Sequence, residues 1–279
     1  MGANARLSIY TNLVPELAGY GFSASVSSDR PINVERAMYF DAQGRYWAGG
    51  HEAAAVPAPA TDWFVAEGCT GPFFDTYLLL ANPNDHDVLA TINYLKPGGV
   101  PPVVEQLPLR ARSRTTVYVN ARDGLQATDV SASISATGPI VVERAMYWPK
   151  DVANWTEAHA SAGITATGTR WAMAEGAHGG PLGFETYVLL ANPGDQDATV
   201  TVTLLRTDDR APVSLTVDVP AHSRQTLSAG QFAITPGEAF GIVVDSTNGA
   251  PIVAERAMYW NGGGRHWGGG TNETAVRIR

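Results

Sequence analysis

The stretch VERAMYF, at residues 34–40, shows how this chain is organised because it occurs three times. It returns as VERAMYW at residues 142–148 and as AERAMYW at residues 254–260, so the three glutamates stand 108 and 112 residues apart. A spacing of this length is that of a whole small domain rather than of one solenoid turn. The sequence therefore describes one module used repeatedly. Such a module more often presents surface or spans distance than carries an active site in each copy.

The repeat extends well beyond this phrase and sets the module boundaries. Further matches are WFVAEG (63–68) with WAMAEG (171–176), and FDTYLLLANP (74–83) with FETYVLLANP (184–193). Residues 61–168 and 169–279 are predicted to be two full modules, and residues 1–60 match only the second half of one. We expect this half module to supply three strands that need completion, because a few unpaired strands are marginal alone. Docking on the first full module would complete it, but we favour completion by another subunit.

The hydrophobic pattern within a module is that of β-strands. Residues 199–205 are β-branched and residues 130–136 alternate with a period of two. Seven such segments occur in the last module, at residues 170–174, 184–191, 198–206, 213–219, 224–227, 240–246 and 251–260. This pattern predicts an all-β fold of tandem Ig-like or fibronectin-type antiparallel sandwiches without the Ig disulfide. The alternative is a propeller-like closed ring built from half modules.

Charge and composition argue against several classes of partner. The net charge of −8 and the pI of about 5.2 argue against nucleic acid, which requires clustered positive charge. No apolar run approaches the roughly 20 residues of a membrane helix. No signal peptide stands at residues 1–20, so we expect any export signal to lie outside this sequence. Cys69 is the one cysteine, and neither a disulfide within the chain nor a cysteine metal site is predicted.

Taken together, the motifs resemble those of a known but mostly uncharacterised repeat. They are W-x-x-A-E-G, F-[DE]-T-Y-[LV]-L-L-A-N-P, S-R-x-T and [VA]-E-R-A-M-Y-W. This combination is similar to tandem β-sandwich repeats of large secreted or surface-attached bacterial proteins, and the resemblance covers nearly the whole chain. It implies an extracellular β-repeat protein and no enzyme activity, and the family offers no established functional residues. The W-x-G-G-H ending of the family matches residues 47–51, whereas the third copy keeps Trp267 and loses the histidine.

The repeated Glu-Arg phrase is the first candidate site. Because alternate residues of a strand face opposite sides, Arg144 shares an otherwise apolar row with Val142 and Met146. We predict partly buried arginines held by repeated glutamates, and loss of about 1–4 kcal/mol of stability in Arg144→Ala. The candidate structural ion pairs involve Arg36, Arg144, Arg256, Glu67 and Glu175. The alternative, a carboxylate pair for glycoside hydrolysis, would need an active site in every copy, so no catalytic residue is predicted.

The second candidate is an aromatic–histidine loop that precedes each module. Its residues are Trp47, His51, Trp155, His159 and Trp267. We interpret the loop as a plug that packs one module on the next, and the alternative is an exposed tryptophan that stacks on a sugar ring. The acidic loops after Asn82 and Asn192 are typical of tight turns as much as of calcium sites. No metal and no cofactor are therefore predicted.

These observations predict a non-catalytic structural or adhesive repeat protein located outside the cell or on its surface. We expect its partners to be neighbouring repeats or further copies of itself, assembled head to tail into a filament or coat. The alternative function is a carbohydrate-binding accessory region of a secreted enzyme, with glycans as partners. Neither nucleic-acid binding nor a membrane span is expected.

Overall fold

The computed structural model describes residues 1–42, 44–149 and 155–279, and it divides into two compact units, Met1–Ile32 and Asn33–Arg279. The first unit has two single-turn 3-10 helices, Thr11–Leu13 and Pro15–Leu17, and its described residues, all 32 of them, form no strand. The second unit consists of antiparallel sheets with only two further 3-10 turns among its described residues, Val119–Ala121 and Ala229–Gln231. The all-β class predicted from the sequence is thus confirmed.

The half module supplies one antiparallel hairpin to the second unit. Strand β1 (Glu35–Ala42) pairs with β2 (Arg45–Ala54), so residues 1–60 hold two complete strands rather than the three expected. In the first full module, the counterparts of residues 5–10 and 23–28 are strands because they pair with strands from the first half of that module. The half module has no sequence counterpart of those partners. Its matching segments therefore lack the backbone pairing that a strand requires.

The first full module is a two-sheet sandwich. Its strands are β3 (Ala60–Val65), β4 (Asp75–Asn82), β5 (Val88–Pro97), β6 (Val103–Leu109), β7 (Ser113–Tyr118), β8 (Ser131–Trp148) and β9 (Glu157–Ala162). One sheet has the order β6-β5-β8-β3, and the other has the order β7-β4-β8-β9. The long β8 belongs to both sheets: its first half pairs with β5 and β3, and residues 141–148 pair with β4 and β9.

The second full module repeats this plan. Its strands are β10 (Arg170–Met173), β11 (Ala177–His178), β12 (Glu185–Asn192), β13 (Ala198–Arg206), β14 (Val213–Val219), β15 (Ser223–Ser228), β16 (Glu238–Ser246), β17 (Val253–Gly262), β18 (Arg265–Thr274) and β19 (Val276–Arg277). The sheets run β14-β13-β16-β10-β19 and β15-β12-β17-β18. Strands β16 and β17 correspond to the two halves of β8. All seven predicted strands are present here, with ends within two residues of those expected.

Each sandwich buries its core between the two sheets, as the period of two requires. Along β13, Val200, Val202 and Leu204 are fully buried, whereas the intervening threonines face outward and bond to hydroxyls of β14. Trp63 and Trp171 are buried at equivalent places, and each indole N–H donates to backbone carbonyls. Within the described ranges no sheet closes on itself, and in each full module a core lies between two sheets, as in a sandwich. No helix of those residues is long and apolar enough to span a membrane.

The prediction of a loop for the glycine-rich segment is wrong, because this segment is a strand. Trp47 lies on β2 and Trp267 lies on β18, each in a hairpin with the preceding strand. The glycines are needed for close approach rather than for a loop. A Cβ on Gly49 would lie 2.5 Å from the ring of Phe40, and a Cβ on Gly269 would lie 2.5 Å from the ring of Trp260.

Candidate functional site: the joints between repeats

The hairpin of the half module contacts the first full module through two polar bonds, which we call the first joint. Arg36 Nη2 donates to Glu143 Oε2 over 3.0 Å, and His51 Nε2 lies 3.2 Å from the hydroxyl of Tyr147. Arg36 Nη1 also lies 3.4 Å from His51 Nδ1. Arg36 and His51 come from β1 and β2, whereas Glu143 and Tyr147 come from β8. The contact therefore connects two successive copies of the repeat.

The same four residue types form the second joint, between the two full modules. Arg144 Nη2 lies 3.4 Å from Glu255 Oε2, His159 Nε2 lies 3.1 Å from the hydroxyl of Tyr259, and Arg144 Nη1 lies 3.1 Å from His159 Nδ1. One contact has thus been built twice at the spacing of the sequence repeat. The Glu-Arg phrase contributes a glutamate and a tyrosine to one joint and an arginine to the next.

The alternation of side chains along β8 explains how one phrase serves two joints. The side chains of Glu143 and Tyr147 lie on the same face of β8, and they bond to the hairpin of the half module. Arg144 lies on the opposite face and meets the following module, together with Trp148, whose Nε1 donates to the backbone oxygen of Trp267 over 2.8 Å. The alternation of side chains along this one strand therefore lets one face contact the preceding copy of the repeat and the opposite face contact the following copy.

Hydrogen-bond geometry fixes the protonation state of the joint histidines. A guanidinium can only donate, so Nδ1 of His159 accepts from Arg144, and the ring proton is on Nε2. Nε2 then donates to the Tyr259 oxygen, and Tyr259 donates to Glu67 Oε1 over 3.0 Å. An ion pair between Glu67 Oε2 and Arg144 Nη2, 2.6 Å apart, completes the ring of contacts. The second joint is thus a closed cycle of four buried side chains in which the histidine is neutral.

The electrostatics of the second joint follow from two buried carboxylates that share one guanidinium. Burial alone would raise the pKa of Glu67, but the charge of Arg144, with the bond from Tyr259, outweighs it and lowers that pKa. Burial raises the pKa of Glu255 to about 7, because its more distant Arg144 only partly offsets the cost of desolvation. Burial likewise lowers the pKa of His159. Glu67 is therefore the permanent anion of the pair.

The first joint is a less buried version of the second. The Arg36 side chain is 37% exposed and that of Glu143 is 23% exposed, whereas Arg144 and Glu255 are fully buried. Residues 1–60 contain no counterpart of Glu67, and among the described residues no carboxylate is hydrogen-bonded to Tyr147 as Glu67 is to Tyr259. This difference makes the first joint a natural control for the second.

The third arginine of the repeat lies at an altered site. Arg256 contacts Glu175 at 3.3 Å and Glu273 at 3.2 Å, and Thr271 takes the position of the joint histidine. Glu175 is mostly exposed here, although its counterpart Glu67 is buried. All three arginines of the phrase thus contact glutamates in the structure. The carboxylates of Glu67 and Glu255 are buried and contact protein groups.

Each of the three tryptophans stacks on a tyrosine of its own module, whereas His51 and His159 contact tyrosines of the next copy. Trp155 stacks on Tyr147 with ring centroids 4.6 Å apart, and its Nε1 donates to Asp75 Oδ2 over 2.7 Å. Trp267 stacks on Tyr259 at 4.7 Å and also contacts the ring of Phe74 in the preceding module. Trp47 stacks on Tyr39 and Tyr46 and is exposed. A plug between modules thus describes Trp267, whereas Trp155 covers its own module.

Sequence reasoning missed a second inter-module contact, made by Arg224. This fully buried guanidinium donates to Asp129 Oδ2 over 2.8 Å and to Ser131 Oγ over 3.0 Å, both in the first full module. Next to it, Ser223 and Arg224 pair in parallel with Lys96 and Pro97 at the end of β5. The repeated Ser-Arg motif was a usable signal, but it was interpreted only as the start of a strand.

The acidic loops make turn contacts. Asn82 Nδ2 donates to three backbone carbonyls and Asp87 accepts from the N–H of Ala111; Asn192 and Asp197 repeat both roles. Over the described residues, no group of three or more acidic, histidine or cysteine side chains is arranged to hold a metal ion.

His51 gives the first joint a measurable pH dependence. Burial, with the charge of Arg36, lowers the pKa of His51 to about 4. The unfolded chain then binds this proton more readily than the folded one, so the contribution is present above the unfolded value of about 6.5 and is lost as the pH falls toward 4, to a total of about 3 kcal/mol at most. We expect His51→Gln to lose this part of the acid sensitivity in denaturant unfolding at pH 4.5–7. An NMR titration that places the pKa of His51 at 6.5 or above would contradict this assignment.

Comparisons with known proteins give no family for this chain. No family model matches it, and neither does any curated protein. Among solved structures, the crystal structure of Thermotoga maritima 1070 is similar over 39% of this chain and 96% of its own, with 16% identity and a TM-score of 0.35. The Anabaena sensory rhodopsin transducer is similar over 33% of this chain and 98% of its own, with 28% identity and a TM-score of 0.29. Because both TM-scores are low, the proposals below rest on the geometry of the joints.

Proposed function

We propose that this chain is a non-catalytic structural repeat protein whose modules are locked in series by the joints, so that it acts as a semi-rigid spacer. The observation that carries the proposal is the repetition of one contact: Arg36 and His51 on Glu143 and Tyr147, then Arg144 and His159 on Glu255 and Tyr259. The same contact is present at both junctions between successive modules, as expected if it is the general means by which modules are joined.

The chemistry of the joint suits a register device. Buried ion pairs add little net stability compared with apolar packing, but a wrong arrangement leaves charges unpaired in the interior and is therefore disfavoured. In the second joint, any sliding or rotation of one module would separate Glu255 from Arg144, and Tyr259 from both His159 and Glu67. Such a joint favours a single angle between successive modules. Buried apolar rings beside it, among them Trp148 and Phe74, supply the adhesion.

A distance measurement across the second joint tests this role. Spin labels at Val104→Cys and Leu205→Cys would stand on exposed positions of the two full modules, in a Cys69→Ala background that matches Ala177 of the other copy. We expect a narrow distance distribution in pulsed electron resonance, because the joint holds one geometry, and a broad one in Glu255→Ala. Glu143→Ala is the matched control, since it removes the same residue type from the first joint. A broad distribution in the parent chain, or equal broadening in both variants, would contradict the spacer role.

The same proposal includes a location outside the cell or on its surface. It also includes head-to-tail assembly into a filament or coat. The resemblance of the motifs to secreted repeats supports the location. Joints that use opposite faces of one strand support the assembly, because such contacts can be continued. Protease treatment of intact cells would test the location, since only a surface protein is cleaved while the cells remain closed.

A carbohydrate-binding module is the second candidate, and one observation favours it. Tyr39, Trp47 and Tyr46 form an exposed aromatic stack on the hairpin of the half module. Exposed aromatic faces of this kind stack on sugar rings. Binding to a glycan array that is lost in Trp47→Ala would support this function. The counterparts Trp155 and Trp267 are covered by protein, and this weighs against it.

A further inference from the structure

A cleft between the two full modules is lined by residues that take no part in the joints. It encloses about 230 Å³. One wall is the outer face of the sheet formed by β3, β8 and β5, and the other consists of loop residues of the second module. The first wall carries Asp62, Phe64, Asn93, Ser133 and Ser135, and the second wall includes Pro193.

The polar side chains of the first wall form two rows across neighbouring strands. Ser133 lies opposite both Phe64 and Asn93, which gives the first row, and Ser135 lies opposite Asp62, which gives the second. Among the described residues, the side chains of the asparagine and of both serines make no hydrogen bond to protein. The Asp62 carboxylate accepts only from the hydroxyl of its neighbour Thr61, over 2.8 Å. Donors and acceptors therefore face the cleft without protein partners.

The same face of the second module has its polar groups paired with one another. In the second row, Arg170 and Asp245 replace the aspartate and the serine, and they form an ion pair of 3.1 Å. In the first row, Val243 replaces the serine and Thr203 replaces the asparagine. The Thr203 hydroxyl lies 2.8 Å from that of Ser214 on the next strand. The two copies thus share a fold and differ in the groups that face the cleft.

The groups on the first wall suit a neutral ligand that is rich in hydroxyl groups. Serine hydroxyls and the asparagine amide both donate and accept, and the carboxylate accepts, so each of them can bond to a sugar hydroxyl. No lysine, arginine or histidine is among the described residues that line the cleft, so a phosphate or carboxylate ligand would find no cation there. Phe64 adds an apolar ring beside the polar groups, which is the usual composition of a small-molecule site.

We propose that this cleft binds one ring of a neutral saccharide, with Phe64 against its apolar face and with Asp62, Asn93 and Ser133 bonded to its hydroxyls. The volume is below the roughly 300–1,000 Å³ of pockets for drug-sized ligands, which limits the occupant to a single ring. Asp62 and Ser135 are exposed, so the cleft is open to solvent and the rest of a glycan can extend out of it. The site is separate from the exposed aromatic stack at Trp47.

An NMR titration of the full chain tests the site with three probes, the methyl glycosides of glucose, mannose and galactose. We expect saturable amide shifts in the millimolar range with at least one of them, confined to residues 62–64, 93, 133–135 and 194. Absence of saturable shifts with all three, or shifts confined to the hairpin of residues 35–54, would overturn the proposal. Equal binding of the methyl glycoside of glucuronic acid would also overturn it, because the cleft has no cation for a carboxylate.

Variants of the first row locate the binding in the cleft. Ser133→Val copies the residue of the second module, so the strand is expected to fold, and it removes a hydroxyl and narrows the cleft. We expect affinity lower by about tenfold or more in Ser133→Val and in Asn93→Ala, since each loses a hydrogen bond to the ligand. Thr203→Ala changes the counterpart of Asn93 in the second module and is the matched control, with unchanged affinity.

The amide spectra of these variants also report whether each remains folded. Unchanged affinity in Ser133→Val and Asn93→Ala, or an equal loss in Thr203→Ala, would overturn the proposal. None of the three positions belongs to a joint, so either result leaves the spacer role and its distance test unaffected.

Discussion

Arg144→Ala is expected to lower the free energy of unfolding by about 3–5 kcal/mol, more than the loss of about 1–4 kcal/mol suggested by the sequence. The guanidinium is fully buried and lies 2.6 Å from Glu67 and 3.4 Å from Glu255. Its removal leaves the Glu67 anion in the interior without its cation and leaves His159 Nδ1 without a donor. Guanidinium unfolding of the intact chain, followed by circular dichroism, measures the loss.

Arg36→Ala is the matched control for this prediction. Arg36 makes the same contact with Glu143, but both side chains are partly exposed, so water replaces the lost partner. We expect a loss of about 1 kcal/mol or less. Equal losses in Arg36→Ala and Arg144→Ala would mean that burial does not set the strength of the joint. An unchanged melting temperature in Arg144→Ala would mean that the joint contributes nothing to stability.

The second large effect is expected for Trp148→Ala, with a loss of about 3–5 kcal/mol. The Trp148 ring is fully buried beside the second joint, with Phe74 at 5.8 Å and Tyr259 at 5.4 Å between ring centroids. Alanine would leave a large cavity between two modules and remove the donor to the backbone oxygen of Trp267. Because the ring touches both full modules, we also expect the parent chain to unfold in one calorimetric transition and Trp148→Ala to unfold in two.

Trp148→Phe controls for the ring itself. Phenylalanine already occurs at this position of the repeat, because Phe40 of the first hairpin is the counterpart of Trp148. Phenylalanine keeps most of the apolar surface and loses the indole N–H bond, so we expect a loss of only about 1–2 kcal/mol and one transition. A loss below 1 kcal/mol in Trp148→Ala would show that the joint relaxes around the missing ring.

The repeat phrase shows how much of the fold was accessible from sequence. Period-two alternation placed Val142, Arg144 and Met146 on one face, and all three are buried in the structure. The seven strands predicted in the second full module end within two residues of those observed, because each has alternating residues between turn signals; the two-residue strands β11 and β19 are too short to show such a pattern. β18 was missed because glycines, read locally, indicate a loop. They are present because the ring of Trp260 on the neighbouring strand occupies the space of a side chain, and no local pattern reports that.

The sequence by itself determined the module, its copies, its all-β class and the row of side chains to which each arginine belongs. These properties depend on spacing and on alternation along one chain, and both are visible in a string of residues. Only the tertiary structure decided which glutamates meet Arg144, why Trp155 is covered while Trp47 is exposed, and that Arg224 joins two modules. Each of these depends on contacts between residues far apart in the chain, set by the packing of whole sheets. A repeated motif gives every copy the same side chains in the same positions along its strands. The contacts that those side chains make depend on which residues of the neighbouring copies pack against them.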